Sequence, residues 1–165
     1  MCANSENDKV NSEKPSKEKS SGRKLALFIS LFFCVMSIVL IVYLTNQSSD
    51  ESLSLSQGIY YSIAGFAILN QIDLSQSWWF TPTYIRRFAH SFEFFALGLT
   101  GNIFCNCLLE DRKKAGITSM GACLVFSFMD EFMKTGVPGR EFDFFDMFFD
   151  FIGYSVGIAV GTIIG

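Results

Sequence analysis

Residues 25–44 read LALFISLFFCVMSIVLIVYL, an uncharged run that matches the roughly 20 residues a helix needs to cross the hydrocarbon core of a bilayer. A single segment can enter lipid only if it satisfies its own backbone, which a helix does. The run is longer than the ~7–15-residue apolar region of a signal peptide, and no convincing small-x-small cleavage site follows it. It is therefore expected to be retained as a first span. Half of the residues are hydrophobic and Phe alone numbers 19. A soluble domain of this length would struggle to hide that much apolar surface. The expectation is a small helical bundle in a membrane, with no large domain outside it. The net charge of −3 is modest and the basic residues sit near helix ends, which argues against a nucleic-acid partner.

Residues 1–24 are polar and charge-mixed and predict a disordered tail, leaving one transmembrane domain over 25–165. Residues 45–56, TNQSSDESLSLS, read as a hydroxyl-rich connection. The apolar stretch 58–69 is too short to span and is expected to lie along the interface or fold back. Trp78, Trp79 and Tyr84 mark a membrane boundary, where amphipathic rings favour the headgroup level. Three further spans are expected at about 87–109, 115–133 and 144–165, separated by the basic loop EDRKK and the Gly/Pro-containing turn KTGVPGRE. The fold expected is all-α, a four-transmembrane-helix bundle with an interfacial helix between spans one and two. The five cysteines show no paired metal-ligand spacing and read as packing residues. Cys2 has no apolar region before it, so a lipoprotein signal fails on order.

Lys and Arg favour cytoplasmic loops. They gather in the tail (Lys9, Lys14, Lys17, Lys19, Arg23, Lys24) and in the second short loop (Arg112, Lys113, Lys114). Both chain ends are then expected in the cytoplasm, although Arg86, Arg87, Lys134 and Arg140 on the other side weaken the asymmetry. This topology puts the start of span two, the end of span three and the start of span four at the outer face. Ionisable groups in hydrocarbon cost at least about 2.5 kcal/mol each, so those at one level are expected to face one another or a wet cavity. At about 100° per residue, Arg86, His90, Glu93 and Gly101 share a face of span two. Ser127, Asp130, Glu131 and Lys134 share one on span three. Asp143, Asp146, Asp150, Gly153, Gly157 and Gly161 share one on span four, acidic first and then G-x-x-x-G-x-x-x-G, a pattern that lets helices approach closely in lipid. Asn102 and Asn106 read as interhelical hydrogen bonders, and the Phe-rich FDFFDMFFDF run as packing and lipid-facing surface.

At these residues the chain resembles the VanZ-like family of bacterial membrane proteins, named for a teicoplanin-resistance determinant. NQSSDESLSLS is similar to the family's Ser/Gln-rich segment. RRFAHSFEFFALG resembles its basic-x-x-His-x-x-Glu/Tyr-x-x-x-Leu-Gly stretch. DEFMKTGVPGREFDFFDMFFDFIGYSVG resembles its closing Asp-Glu, Pro-x-Arg, Asp, Asn-or-Asp, Gly pattern. Where the family often carries His-Gln after the Asp-Glu pair, this chain has Met133 and Lys134, and Lys134 stands one helical turn from Asp130. The resemblance implies a cell-envelope role, with reduced susceptibility to glycopeptides such as teicoplanin.

The candidate polar pocket comprises Arg86, His90, Glu93, Asp130, Glu131, Arg140, Asp143, Asp146 and Asp150, with Gly153, Gly157 and Gly161 for helix packing. Membrane lipids are the expected partners, with a cell-envelope precursor or a glycopeptide as a further one. Acids with one His could hold a divalent cation, and Arg140 could grip a phosphate or carboxylate. One His without paired spacing defines no metal, however, and neither a metal nor a cofactor is expected. A purely structural charge network is the competing reading. Two other functions stay open. One is an enzyme acting on a lipid-linked or phospho-headgroup substrate, for which sequence spacing makes no nucleophile evident. The other is a small transporter or structural subunit, although the acids lie at one end rather than at midplane and no inverted repeat is visible.

Overall fold

A computed structural model describes the backbone from Asn7 and side chains from Gly22 onward, except at Ser75, Gln76, Trp78, Glu110 and Gly165. The described residues form five helices and no strand: α1 (Asn7–Thr45), α2 (Ser49–Leu69), α3 (Pro82–Leu108), α4 (Arg112–Lys134) and α5 (Phe144–Ile164). The all-α expectation is met. Helix α1 begins at Asn7, so helical backbone runs through the polar residues 7–24 into the apolar run. Extending an existing helix needs no new nucleus, which is the costly step. Of the aromatic boundary residues, Trp78 lies outside the described residues and Trp79 is exposed.

The hydroxyl-rich residues after α1 do not form a loop. Helix α2 starts at Ser49 behind a capping box in which the Ser48 side chain accepts from the Glu51 N–H and Glu51 reaches back to the Ser48 N–H at 3.0 Å. Two N–H groups that helix geometry would leave orphaned are thereby satisfied. At the start of α3, Thr81 caps and Pro82 occupies the first turn, where its missing N–H costs nothing.

Helix α3 is the hub and packs against all four others. Its tightest neighbour is α5, and the reason lies in glycine. A Cβ on Gly153 would run into the Ser91 carbonyl oxygen, and one on Gly157 into that of Phe95. At Gly161 it would sit 3.0 Å from Asn102 Oδ1, and at Gly98 on α3 it would meet the Tyr154 backbone. Gly101, placed on the polar arc by spacing, meets nothing within 4 Å. The same seam is pinned by polar contacts: Asn106 donates to Asn102 Oδ1 at 2.9 Å and to the Gly161 carbonyl at 3.4 Å, and Thr162 donates to Asn102 Oδ1 at 3.3 Å.

Arg23 donates to the Cys107 carbonyl, and Arg112 to that of Thr162. The start of the apolar part of α1, the end of α3, the start of α4 and the end of α5 therefore lie together, and α1, α3, α4 and α5 alternate in direction. The apolar core is small: Ile41, Phe94, Leu97, Cys123, Tyr154 and Ile158.

Burial is inverted relative to a water-soluble domain, most plainly on α4. Ser119, Ser127, Asp130, Glu131 and Lys134 are buried, while Ile117, Leu124, Val125, Phe128, Met129 and Phe132 are exposed. Exposed apolar surface on this scale marks an interaction surface rather than a solvated one. The 22–45 part of α1 and α5 are long and apolar enough to cross a membrane by length and composition. Helices α3 and α4, also expected as spans, do not fall in that pair, because the polar residues on their inward faces lower their mean hydropathy.

Candidate functional site

The acidic and basic residues meet at the end of the bundle opposite Arg23 and Arg112, where α1 ends, α3 begins, α4 ends and α5 begins. The turn between α4 and α5 delivers two of them. Arg140 N–H donates to the Val137 carbonyl at 3.1 Å, closing a turn with Pro138 and Gly139 at its centre. Gly139 has a φ of +75°, which a type II turn requires at that position and a side chain would resist. Asp143 then starts α5: its side chain accepts from the Phe145 N–H at 2.8 Å, the arrangement of a helix N-cap.

Asp146, buried on the first turn of α5, is the centre of the cluster. Its Oδ1 takes Arg87 Nε at 3.2 Å, and its Oδ2 faces Lys134 Nζ at 3.6 Å and Arg86 Nη2 at 3.8 Å. Arg87 also reaches Asp143 Oδ2 at 2.8 Å and lies over the Tyr84 and Phe145 rings, where a cation is favoured. Burial raises the Asp143 pKa, but the opposing Arg87 hydrogen bond, the Phe145 N–H and the charges of Arg87 and Arg86 hold it below the usual carboxylate range.

Asp130, Glu131 and Asp150 are fully buried, with ligand-type oxygens within 4.8 Å of one another. The chain supplies its own cation there. Lys134 lies 3.3 Å from Asp130 Oδ2 and donates to Glu131 Oε1. Thr45, at the last turn of α1, donates to Asp130 Oδ1, and Ser127 donates to Asp150 Oδ2 at 2.8 Å. Glu131 Oε2 accepts the Asp143 N–H at 3.1 Å, which ties the end of α4 to the start of α5. A metal ion at these oxygens would have to displace or repel an ammonium that already shares two of the carboxylates.

His90, Glu93, Arg86 and Arg140 stand apart on a cleft of about 60 Å³ between α2, α3 and the α4–α5 turn. His90 Nδ1 is 3.4 Å from Glu93 Oε2, yet neither atom has a hydrogen-bond partner, and the same holds for Nε of Arg86 and of Arg140. Arg140 Nη1 donates to the Thr45 carbonyl at 2.9 Å and to that of Leu44 at 3.5 Å. This caps the C-terminal end of α1, where the helix dipole favours a cation. Burial and then the charge of Arg86 push the Arg140 pKa down, with Asp130, Asp146 and Glu131 opposing.

The nine polar-pocket residues therefore divide into two adjoining groups. Asp130, Glu131, Asp143 and Asp146 join the ion network and Asp150 lies beside it, held by Ser127, while His90, Glu93 and Arg140 line the cleft. Arg86 belongs to both. Sequence spacing passed over Arg87, whose pairs are shorter than those of Arg86, because the arc was drawn through His90 and Glu93 and so selected its neighbour. It also passed over Thr45, which no local pattern connects to Asp130. Ser52 and Ser56 of α2 are buried and line the cleft as well.

Residues 28–165 match the VanZ/LLP1 family, a stretch that includes every residue of the network and the cleft. No curated protein and no solved structure matches. The inward-turned polar cluster thus lies within a matched stretch covering most of the sequence, and the chain belongs to the VanZ/LLP1 family.

Proposed function

We propose that this protein is a four-span membrane protein that acts in the cell envelope and lowers susceptibility to glycopeptide antibiotics such as teicoplanin, through the polar residues at the outer ends of α3, α4 and α5. In this reading α1, α3, α4 and α5 cross the bilayer, α2 lies at the interface and both chain ends are cytoplasmic. The observation that carries it is the inverted burial: ionisable and hydroxyl side chains turn inward while Phe, Ile, Leu and Val cover the outside. Intramembrane ionisable residues are costly, face the bundle interior and are usually functional. The alternation of the four helices supports the topology, since it gathers Arg23 and Arg112 at the end opposite the acids, as the positive-inside rule requires.

A second reading has an observation of its own. The cleft brings Ser52 and Ser56 to the same surface as the His90–Glu93 pair. A hydroxyl, an imidazole and a carboxylate are the parts of a nucleophile with its base and orienting group, which suits an enzyme acting on a lipid-linked or phospho-headgroup substrate.

One experiment tests both. Teicoplanin susceptibility and binding and envelope-lipid composition are compared in cells with and without the gene, and with Glu93→Gln or Arg140→Ala. The envelope reading expects susceptibility to rise in both variants with lipids unchanged. Lipid species that change with the gene and revert in both variants favour the enzyme. Wild-type behaviour from both variants, once each is shown to be inserted, overturns the cleft as a functional site.

A further inference from the structure

We propose that the cleft between α2, α3 and the α4–α5 turn binds a phosphate oxyanion, held between the guanidinium groups of Arg86 and Arg140. The inference rests on reading this cleft as the functional site and adds the chemical class of its ligand.

Two guanidinium groups turned to one small cleft repel each other, and in a partly desolvated place that repulsion is weakly screened. The carboxylates nearby are largely committed elsewhere. Asp146 is closer to Arg87 and Lys134 than to Arg86, and Arg140 has carbonyl oxygens rather than a carboxylate as its hydrogen-bond acceptors. Burial and the Arg86 charge both act against the Arg140 cation, yet a guanidinium does not give up its proton. An anion between them relieves this tension without rearranging the helices. The Nε atoms of both arginines are buried donors without a hydrogen-bond partner, and the planar fork of Arg suits phosphate geometry.

His90 extends the site. Its side chain is 94% buried, the complement of the 6% that is exposed, and its Nδ1 lacks a hydrogen-bond partner. A ring N–H there would add a donor to those of the two arginines. Glu93 is the one carboxylate lining the cleft among the described residues, so it works against anion binding. The cleft's volume of about 60 Å³ equals the liquid share of about two waters at ~30 Å³ each, on the scale of a single compact anion.

The test uses full-length protein purified in a phosphate-free maltoside detergent, with inorganic phosphate as the first probe. The second probe is a set of nanodiscs of phosphatidylcholine with and without phosphatidic acid. Thermal unfolding is the readout, because a ligand that binds the folded state raises Tm saturably. Phosphate, but not chloride at matched ionic strength, is expected to raise the Tm of the wild type. Arg86→Gln and Arg140→Lys are each expected to shift half-saturation upward by at least tenfold. Arg140→Lys keeps a cation for the α1 carbonyls while losing the fork, so a loss of fold does not mimic the result. Glu93→Gln is expected to lower half-saturation, which a purely structural Glu93 would not do.

Saturation by inorganic phosphate without an effect of phosphatidic acid assigns a soluble phosphate ligand, and the reverse assigns a lipid headgroup. Either supports the site. Equal effects of phosphate and chloride, or wild-type half-saturation in both arginine variants, overturn it. No response to either probe also overturns it, and if Glu93→Gln still alters teicoplanin susceptibility, the envelope reading survives that failure. Phosphate binding with wild-type susceptibility in the cleft variants would leave the anion site standing and remove the envelope reading.

Discussion

Lys134 on the last turn of α4 faces Asp146 on the first turn of α5 across 3.6 Å, while the same ammonium serves Asp130 and Glu131 on its own helix. One cation thus closes the joint between two helices at a level where water is scarce. Its exposure is only 3%.

Removing either partner strands buried charge. Lys134→Met leaves three carboxylates without their shared cation, and Asp146→Asn leaves three cations without their shared acid. Each is expected to cost about 3–5 kcal/mol, read as a loss of detergent-solubilised folded protein and a lower Tm. Reversing the charges at Asp130 and Lys134 together is expected to restore only part of this: the two would again face each other as opposite charges, while Glu131 and Asp146 would meet a carboxylate. Strictly additive losses would show that the two do not act as a pair.

Arg87 and Arg86 are adjacent in sequence and unequal in structure. Arg87→Ala removes two short charged contacts and the ring packing, and is expected to cost about 1–2 kcal/mol, discounted because Asp143 is partly exposed. Arg86→Ala gives up a contact of 3.8 Å and is expected to cost under about 1 kcal/mol. Urea or thermal unfolding of the two variants side by side checks the order, and equal losses would contradict it.

The close approach of α3 and α5 gives a steric prediction. Gly157→Ala drives a methyl into the Phe95 carbonyl and to 2.8 Å from the Leu99 nitrogen, and backbone on both sides leaves little room to yield. A loss of about 1–3 kcal/mol or more is expected. Gly121→Ala on α4 meets nothing within 4 Å and is expected to be neutral or to gain a few tenths of a kcal/mol from helix propensity. Equal effects would mean that the seam is looser than its geometry.

Stability should depend on Asp143 at acid pH. Its pKa is held below the usual 3.8 in the folded protein, so the unfolded chain takes up the proton first as pH falls. The stabilisation is therefore fully present at neutral pH and declines from about pH 5 downward, as linkage requires. Tm measured from pH 7 to 3 should fall less steeply in Asp143→Asn than in the wild type. Parallel curves would show that Arg87 does not hold the carboxylate ionised.

Much of the helical frame was legible locally. Residues 25–44 are uncharged throughout and lie within α1, and the start expected near Phe144 is where α5 begins, because a hydrophobic run bounded by a Gly/Pro turn leaves few alternatives. The helix expected after the first span over 58–69 lies within α2, but its start at Ser49 was not read, since the serines outweighed the one signal of it, Ser48 followed three residues later by Glu51.

The sequence alone determined that polar residues would share faces of particular helices, because 100° per residue sets which side chains of one helix are neighbours. It placed Ser127, Asp130, Glu131 and Lys134 together, and the Asp146–Asp150 stripe above its glycines. Only the tertiary structure decided which faces meet. It paired Arg87 rather than Arg86 most closely with Asp146, set Thr45 of α1 on Asp130 of α4, brought Gly98 rather than Gly101 to α5, and turned Arg140 to the end of α1 beside Arg86. Periodicity carries no information about the rotation and depth of one helix against another. Those are set here by the glycine seam between α3 and α5 and by the turn that carries Arg140.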